Sequence, residues 1–364
     1  MYGFTFAGRV LEWLRYRTGL HPLLASFLVF GVLGSACVFA GVLVILGRLH
    51  EVLEIVRRNY VEAYVGVLAY TWIWYGPYLI YKFEGDYFPS FWERVLGHWK
   101  GDAEALGFFE SLKEKYYKSY LRGYYMFSVP LSLLAVVDAV FMRDYAAEFF
   151  GIRGLLDPWY VVAVAEMIVI VFLSGIGFNG VYTVVRVVKE LREHFRGRED
   201  ALVDPLHEDG FGGLMAFGEI SIKATLLFAS GSVLLPFLLN VSHWLGSVAL
   251  ALGVVSTGVY VFFVLLIFLY PTLLLHDIAR RGKELHLAGL MREYRRILSA
   301  YFSGSGVTED HLRMLKVIND YVDKIKSMKE YPLDAMIIGQ WVTSLIFPIV
   351  VSVMQVYIEL YLRG

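Results

Sequence analysis

Residues 23–47 read LLASFLVFGVLGSACVFAGVLVILG, and no charged side chain interrupts them before Arg48. The hydrocarbon core of a bilayer is about 30 Å thick, and about 20 mostly apolar residues in a helix are enough to cross it. The helices of soluble proteins, in contrast, usually keep one polar face. We therefore predict that this stretch crosses a membrane as a helix.

Six further stretches meet or approach the same requirement. The second and third are short and rich in aromatic residues, and the later ones are longer. Together they predict an all-α, polytopic membrane protein with seven transmembrane helices. The six further spans are residues 64–81, 124–142, 159–185, 214–240, 245–275 and 335–362.

The composition agrees with this fold class and excludes others. Apolar residues make up 57% of the chain and charged residues 18%, against roughly 45–50% and 25% in globular domains. The net charge of −1 provides no field that attracts nucleic acid. The single cysteine, Cys37, rules out an internal disulfide framework and a multi-cysteine zinc or iron–sulfur site. We expect no cofactor.

The basic residues orient the predicted helices, because cytoplasmic segments collect Lys and Arg. With the N-terminus inside, the inner segments hold 26 basic residues and the outer segments hold 6. This asymmetry predicts a cytoplasmic N-terminus, an outer C-terminus and a location in the cell (plasma) membrane.

The inner segments are long and have the pattern of helices. Residues 186–198 continue helix four, residues 276–300 continue helix six, and residues 309–329 have the apolar 3–4 spacing of an amphipathic helix. We predict an amphipathic inner-leaflet helix at 1–22, helices one to six within 23–275 with cytoplasmic loops 82–123 and 186–213, a cytoplasmic helical domain at 276–333, and helix seven at 334–364.

Two carboxylates lie near the predicted outer ends of their spans, Asp138 on helix three and Glu166 on helix four. An ionisable group inside a span costs at least a few kcal/mol and usually faces a bundle interior or a water path. The two acids predict an outer ring that attracts cations. Alternatively, each carboxylate extends to the lipid headgroups or accepts a hydrogen bond from another helix.

Glu219 and Lys223, four residues apart on helix five, predict a local ion pair.

The last predicted helix carries a polar stripe along its length. Its polar members recur every three or four residues, and the apolar side chains occupy the other faces. Such a stripe needs a polar partner or water, and it predicts a pore lining in which the proline is a gate or kink. The stripe consists of Gln340, Ser344, Pro348, Ser352, Gln355 and Glu359.

Residues 204–214 read DPLHEDGFGGL and stand directly before helix five. Asp204, His207 and Asp209 could bind a divalent cation or a small molecule. His276 and Asp277 are candidates to complete the coordination shell of a cation. The alternative is structural: Asp209 caps the helix, and the glycines permit a tight turn. No motif of a hydrolase, a zinc protease or an ATPase is present, so we expect no enzymatic activity.

The DPLHEDGFGGL string and YPLD at 331–334 resemble uncharacterised prokaryotic multi-pass membrane proteins. The layout also resembles the seven-transmembrane ion channel superfamily of insect odorant and gustatory receptors. It shares the inner N-terminus, long inner and short outer loops, and a last helix that ends outside. That resemblance implies a homotetramer joined by its cytoplasmic helices, with residues 340–359 lining the pore.

Three functions are compatible with this sequence. The first is a homo-oligomeric, cation-conducting channel whose last helix lines the pore, with the bilayer, ions and further copies of the chain as partners. The second is a secondary transporter with a midplane site among Asn179, Thr225 and Gln340. The third is a non-transporting receptor or scaffold that senses a ligand or metal at the 204–213 loop.

Overall fold

The computed structural model describes residues 5–58, 60–144, 154–235, 247–302 and 309–331, with single positions at 147, 239, 339, 342, 346 and 350. These residues form helices joined by turns, and they contain no strand. In the first half of the chain the helices are α1 (Phe6–Thr18), α2 (Pro22–Ile45), α3 (Leu49–Arg58), α4 (Tyr60–Lys82), α5 (Phe88–His98) and α6 (Ala103–Phe141). They continue with α7 (Pro158–His194), α8 (Glu199–Leu202), α9 (Met215–Ala229), α10 (Ser247–Phe302) and α11 (Glu309–Ser327).

Five helices of the described chain are long and apolar enough to cross a membrane, which indicates a membrane protein. The predicted second span forms α4 but is not among them, because its polar aromatic residues lower the mean hydropathy. The predicted seventh span, including the whole polar stripe, lies outside the described residues apart from a few single positions. The five candidate spans are Pro22–Ile45, Ala103–Phe141, Pro158–His194, Met215–Leu234 and Gly253–Ser299.

Helices α6 and α7 pack antiparallel along most of their length. Near one end the Tyr160 hydroxyl donates to the carbonyl of Ala139, and near the other the Tyr116 hydroxyl donates to Glu190 at 2.7 Å. Between them the backbones approach closely, since a Cβ on Gly175 would lie 2.1 Å from Ser128 Oγ. Small residues allow this approach, and the resulting van der Waals contact holds helices together in lipid.

An aromatic core joins α5, α6 and α9. The rings of Phe91 and Phe217 meet edge to face with centroids 5.1 Å apart, and Phe109 lies 6.0 Å from Phe217. Trp92 and Phe109 are completely buried. This core lies beneath the 204–214 loop and fixes the start of α9.

The predicted extensions of helices four and six are confirmed, since α7 runs to His194 and α10 runs through to Phe302. Pro271 lies inside α10, which continues past it without ending. The amphipathic helix at 309–329 forms α11, which packs on α10 through Ile297, Ile318 and Val322.

Helix three begins much earlier than predicted. The segment 103–123 was assigned to a loop, but it is the first half of α6. The reason is an apolar stripe at Phe109, Leu112, Tyr116 and Tyr120, which is buried against the core at the 3–4 spacing of a helix. Many charged residues lie on the exposed face of this helix, and they made the apolar stripe hard to recognise in the sequence.

Candidate functional site

Glu166 projects toward α2 from the first third of the apolar part of α7, eight residues after its first residue, Pro158. Ser35 Oγ donates to Glu166 Oε2 at 2.7 Å, and Ser35 is completely buried. The other carboxylate oxygen, Oε1, is buried without a hydrogen-bond partner among the described residues. An unpaired buried acceptor costs about 1–3 kcal/mol, and more when it is charged. The geometry therefore leaves one carboxylate oxygen available for a proton or a cation.

The α2 side of this site is π-helical over Phe27–Ala36. Single π-helical turns within α-helices are frequent at functional sites. The Tyr70 hydroxyl on α4 donates to the carbonyl of Gly31 at 2.5 Å, and Ser26 Oγ donates to the carbonyl of Trp74. The Ser35–Glu166 bond thus joins α2 to α7, and the Tyr70 and Ser26 bonds join α2 to α4. Carboxylate oxygens such as the free one of Glu166 suit hard cations.

Asp138 does not join Glu166, so the predicted acidic ring is not formed within one chain. Asp138 is exposed on α6, next to Ala139 and therefore level with Tyr160. Glu166 lies six residues further along α7, about 9 Å deeper at 1.5 Å per residue. Its partner is a buried serine on a third helix, as in the alternative reading of a helix–helix hydrogen bond.

Asp209 organises the 204–214 loop by binding backbone amides. Its carboxylate accepts from the N–H groups of Phe211 at 2.8 Å, Gly213 at 3.1 Å and Met215 at 3.1 Å. Met215 is the first residue of α9, so Asp209 satisfies a free N–H of the helix start. Burial alone would raise the pKa of Asp209, but these amides and His207 hold it below its ordinary value.

Two glycines allow the loop to close tightly. Gly212 and Gly213 have φ of 71° and 84°, in the left-handed region that favours glycine. A Cβ on Gly212 would lie 2.6 Å from Val203 Cγ1, and one on Gly213 would lie 2.6 Å from His98 Nε2. The structural reading of the motif, a capping carboxylate and a glycine turn, accounts for these contacts.

The proposed metal shell is not assembled. His276 Nδ1 lies 3.0 Å from the carbonyl of Glu330, and Asp277 pairs with Arg192 at 2.7 Å and Arg281 at 3.0 Å. Asp204 accepts from the N–H of Leu206 at 2.9 Å. In the part of the chain that the structure describes, no group of three or more His, Cys, Asp or Glu is placed to hold a metal ion.

Glu219 and Lys223 form the predicted pair, with Oε2 and Nζ 3.5 Å apart. Arg94 on α5 adds a shorter contact to Glu219 at 2.9 Å.

The predicted pore-lining residues fall outside the described part of the chain. These are Gln340, Ser344, Pro348, Ser352, Gln355 and Glu359.

Sequence reasoning missed Ser35, Tyr70 and His98, whose roles depend on contacts between distant segments. Ser35 meets a carboxylate 131 residues away, and no local pattern marks such a pairing. His98 packs against His207 with ring centroids 4.3 Å apart.

Comparison with protein-family models, curated proteins and solved structures finds no match for this chain.

Proposed function

We propose that this chain is a cation-conducting membrane protein that assembles as a homo-oligomeric ion channel, most simply a tetramer. The observation that carries the proposal is Glu166, a carboxylate inside an apolar span with one oxygen bound by Ser35 and the other without a partner among the described residues. A charge in the bilayer is costly, so an ionisable group inside a span is a candidate member of an ion or proton path.

The pore itself is assigned to the predicted last helix. In a continuous helix over 335–362, Gln340 and Ser344 lie about 120–160° away from Val342 and Ile346 at 100° per residue. Val342, Ile346 and Val350 are exposed, as expected for positions that face lipid. The polar stripe then faces away from lipid, where water and ions can follow it. Seven helices, an inner N-terminus and a plasma membrane location complete the proposal.

Cation flux in liposomes tests the role of Glu166. The purified full-length protein should conduct K⁺ or Na⁺, and Glu166→Gln should lower the flux at least tenfold. Glu110→Gln, which neutralises an exposed carboxylate on α6, is the matched control and should leave the flux unchanged. Full flux in Glu166→Gln would contradict the assignment, and a wild-type protein without any cation flux would contradict the proposed function.

Paired substitutions test the pore. Gln340→Leu removes a member of the stripe, and Val342→Leu changes an exposed apolar position of the same segment. We expect the first to reduce conductance and the second to leave it intact. Equal effects of both substitutions would exclude the stripe as the lining.

A secondary transporter is the alternative, and one observation favours it: the Glu166 carboxylate is bound within the same protomer, by Ser35 of α2. Two of the three midplane residues first considered make other bonds, since Asn179 Nδ2 donates to the carbonyl of Tyr120 at 3.0 Å and Thr225 Oγ1 donates to that of Ser221 at 2.8 Å. The third, Gln340, lies outside the described residues. Saturable exchange without unitary conductance steps would favour the transporter, with Glu166 as its cation site.

A further inference from the structure

Glu84 is a buried carboxylate at the N-terminal helix, separate from the Glu166 site. It lies in the π-helical turn Phe83–Tyr87 between α4 and α5, and it is 8% exposed. Its Oε2 accepts hydrogen bonds from the backbone N–H of Thr5 at 3.2 Å and from Thr5 Oγ1 at 3.0 Å. Thr5 is the N-cap of α1, so Glu84 binds the N-terminal helix through its capping residue.

A second buried polar group points to the same place. Tyr120 on α6 is 6% exposed, and its hydroxyl has no partner at hydrogen-bond geometry among the described residues. This hydroxyl and that of Tyr124 lie close enough to Glu84 to interact with it electrostatically. Arg9, one turn along α1, is the cation whose charge acts on the carboxylate.

The other elements packed against this turn direct their charges elsewhere. On α5, Arg94 binds Glu219 of α9 at 2.9 Å. Lys223 of α9 also pairs with Glu219, and its ammonium lies 4.5 Å above the ring of Tyr87. Glu84 therefore has its main interactions with α1 and α6.

We propose that Glu84 is a proton-binding site that controls the seating of α1: the protonated carboxyl keeps Thr5 and α1 in place, and loss of the proton releases them. A neutral carboxyl bonds to Thr5 without a buried charge. A carboxylate in the same place is taken out of water at a cost of several kcal/mol. Displacing Thr5 from the α1 side admits water and removes that cost.

The pH range in which Glu84 controls the seating of α1 follows from the burial of its carboxyl group. Burial raises the pKa of Glu84 to about 8, while the hydrogen bonds from Thr5, the nearby Tyr120 hydroxyl and the charge of Arg9 limit the rise. The seated form therefore holds a proton, between pH 4.5 and about 8, that a water-exposed carboxyl would release. Seating is strongest at the acid end of this window and weakens as the pH rises through 8.

A fluorine label on α1 measures the seating directly. The full-length protein carries Cys37→Ala and Phe6→Cys, with a trifluoromethyl tag at the exposed position 6, and is placed in nanodiscs. Between pH 5.5 and 9.5 we expect the seated ¹⁹F resonance to lose intensity to a second resonance as the pH rises, and the loss should level off above about pH 8. Glu84→Gln keeps a neutral side chain of the same shape and should show only the seated resonance at every pH.

Two further variants keep the test decisive. Arg9→Gln removes a charge that favours the carboxylate, so its midpoint should move to higher pH. Glu110→Gln, the matched control, should leave the transition unchanged. The proposal is overturned if the transition persists in Glu84→Gln, if Glu84→Gln shows the released resonance at pH 6, or if the wild-type background shows one resonance throughout.

Discussion

Arg48 and Asp157 form a buried ion pair where α2 has ended and α7 begins. Arg48 Nη1 and Asp157 Oδ2 are 2.8 Å apart, and the two side chains are 7% and 5% exposed. Asp157 also accepts from the N–H of Trp159 at 3.1 Å, so it caps α7 at the same time. One carboxylate thus ties two candidate membrane spans together and satisfies a helix end.

Asp157→Asn separates the two roles, because asparagine caps a helix as well as aspartate. The substitution removes the buried carboxylate partner of Arg48 and leaves the more exposed Glu51, which costs about 1.5–3 kcal/mol for the lost charged hydrogen bond. We expect a clear fall in the thermal unfolding midpoint of the detergent-purified protein. Glu51→Gln, which removes the more exposed partner of the same arginine, should cost no more than about 1 kcal/mol. Equal shifts from the two variants would contradict this account.

Asp209→Ala should destabilise the protein by about 2–3 kcal/mol, since three loop amides lose a charged acceptor. Because the pKa of Asp209 is lowered in the folded protein, its contribution is full above the ordinary value of 3.8 and fades as the pH falls through the folded value. Thermal unfolding at pH 7 and at pH 3 measures the difference. The exposed neighbour Glu208 provides the control, and Glu208→Ala should change stability by less than about 0.5 kcal/mol.

At the scale of elements, α1 presents two different faces. Ala7 and Leu11 are buried against the protein, whereas Phe6, Trp13 and Tyr16 are exposed on the opposite side. Gly19 ends α1 in the left-handed conformation, and the first candidate span begins at Pro22. We expect an exposed aromatic face so close to a span to lie at the membrane interface, where tryptophan and tyrosine are enriched.

Brominated lipids test this position of α1. Quenching of the tryptophan fluorescence should be greatest for bromine near the headgroups, and Trp13→Phe should remove that component. Trp92→Phe, in the buried aromatic core, should leave it in place. Headgroup-level quenching that survives Trp13→Phe would place α1 away from the interface.

The extent to which the sequence predicts an element depends on how its apolar residues are distributed. The extensions of α7 and α10 were predictable because no proline interrupts residues 186–194 or 276–302. The first half of α6 was not, because it buries a narrow stripe among many charged residues. At the sites, Asp209 as a cap followed from local spacing, but Ser35 beside Glu166 and Thr5 beside Glu84 depend on contacts between distant segments.

At the scale of the whole molecule, the distribution of basic residues predicts which segments face the cytoplasm. In a Cys37→Ala background, Lys100→Cys should be protected from a membrane-impermeant maleimide in intact cells. Leu156→Cys, which is 90% exposed between α6 and α7, should react. Both cysteines should react after permeabilisation, which controls for accessibility within the fold. The reverse pattern in intact cells would invert the proposed orientation.

Helix α10 has 56 residues, which at 1.5 Å per residue is a rod of about 84 Å, and a bilayer core takes up only about 30 Å of it. A tilt of about 5° around one end moves the other by roughly 7 Å over that length. Since α11 packs on the distal part of this rod through Ile318 and Val322, it would travel with it. A small change in the tilt of α10 within the membrane would therefore displace α11 and the distal end of α10 by several ångströms.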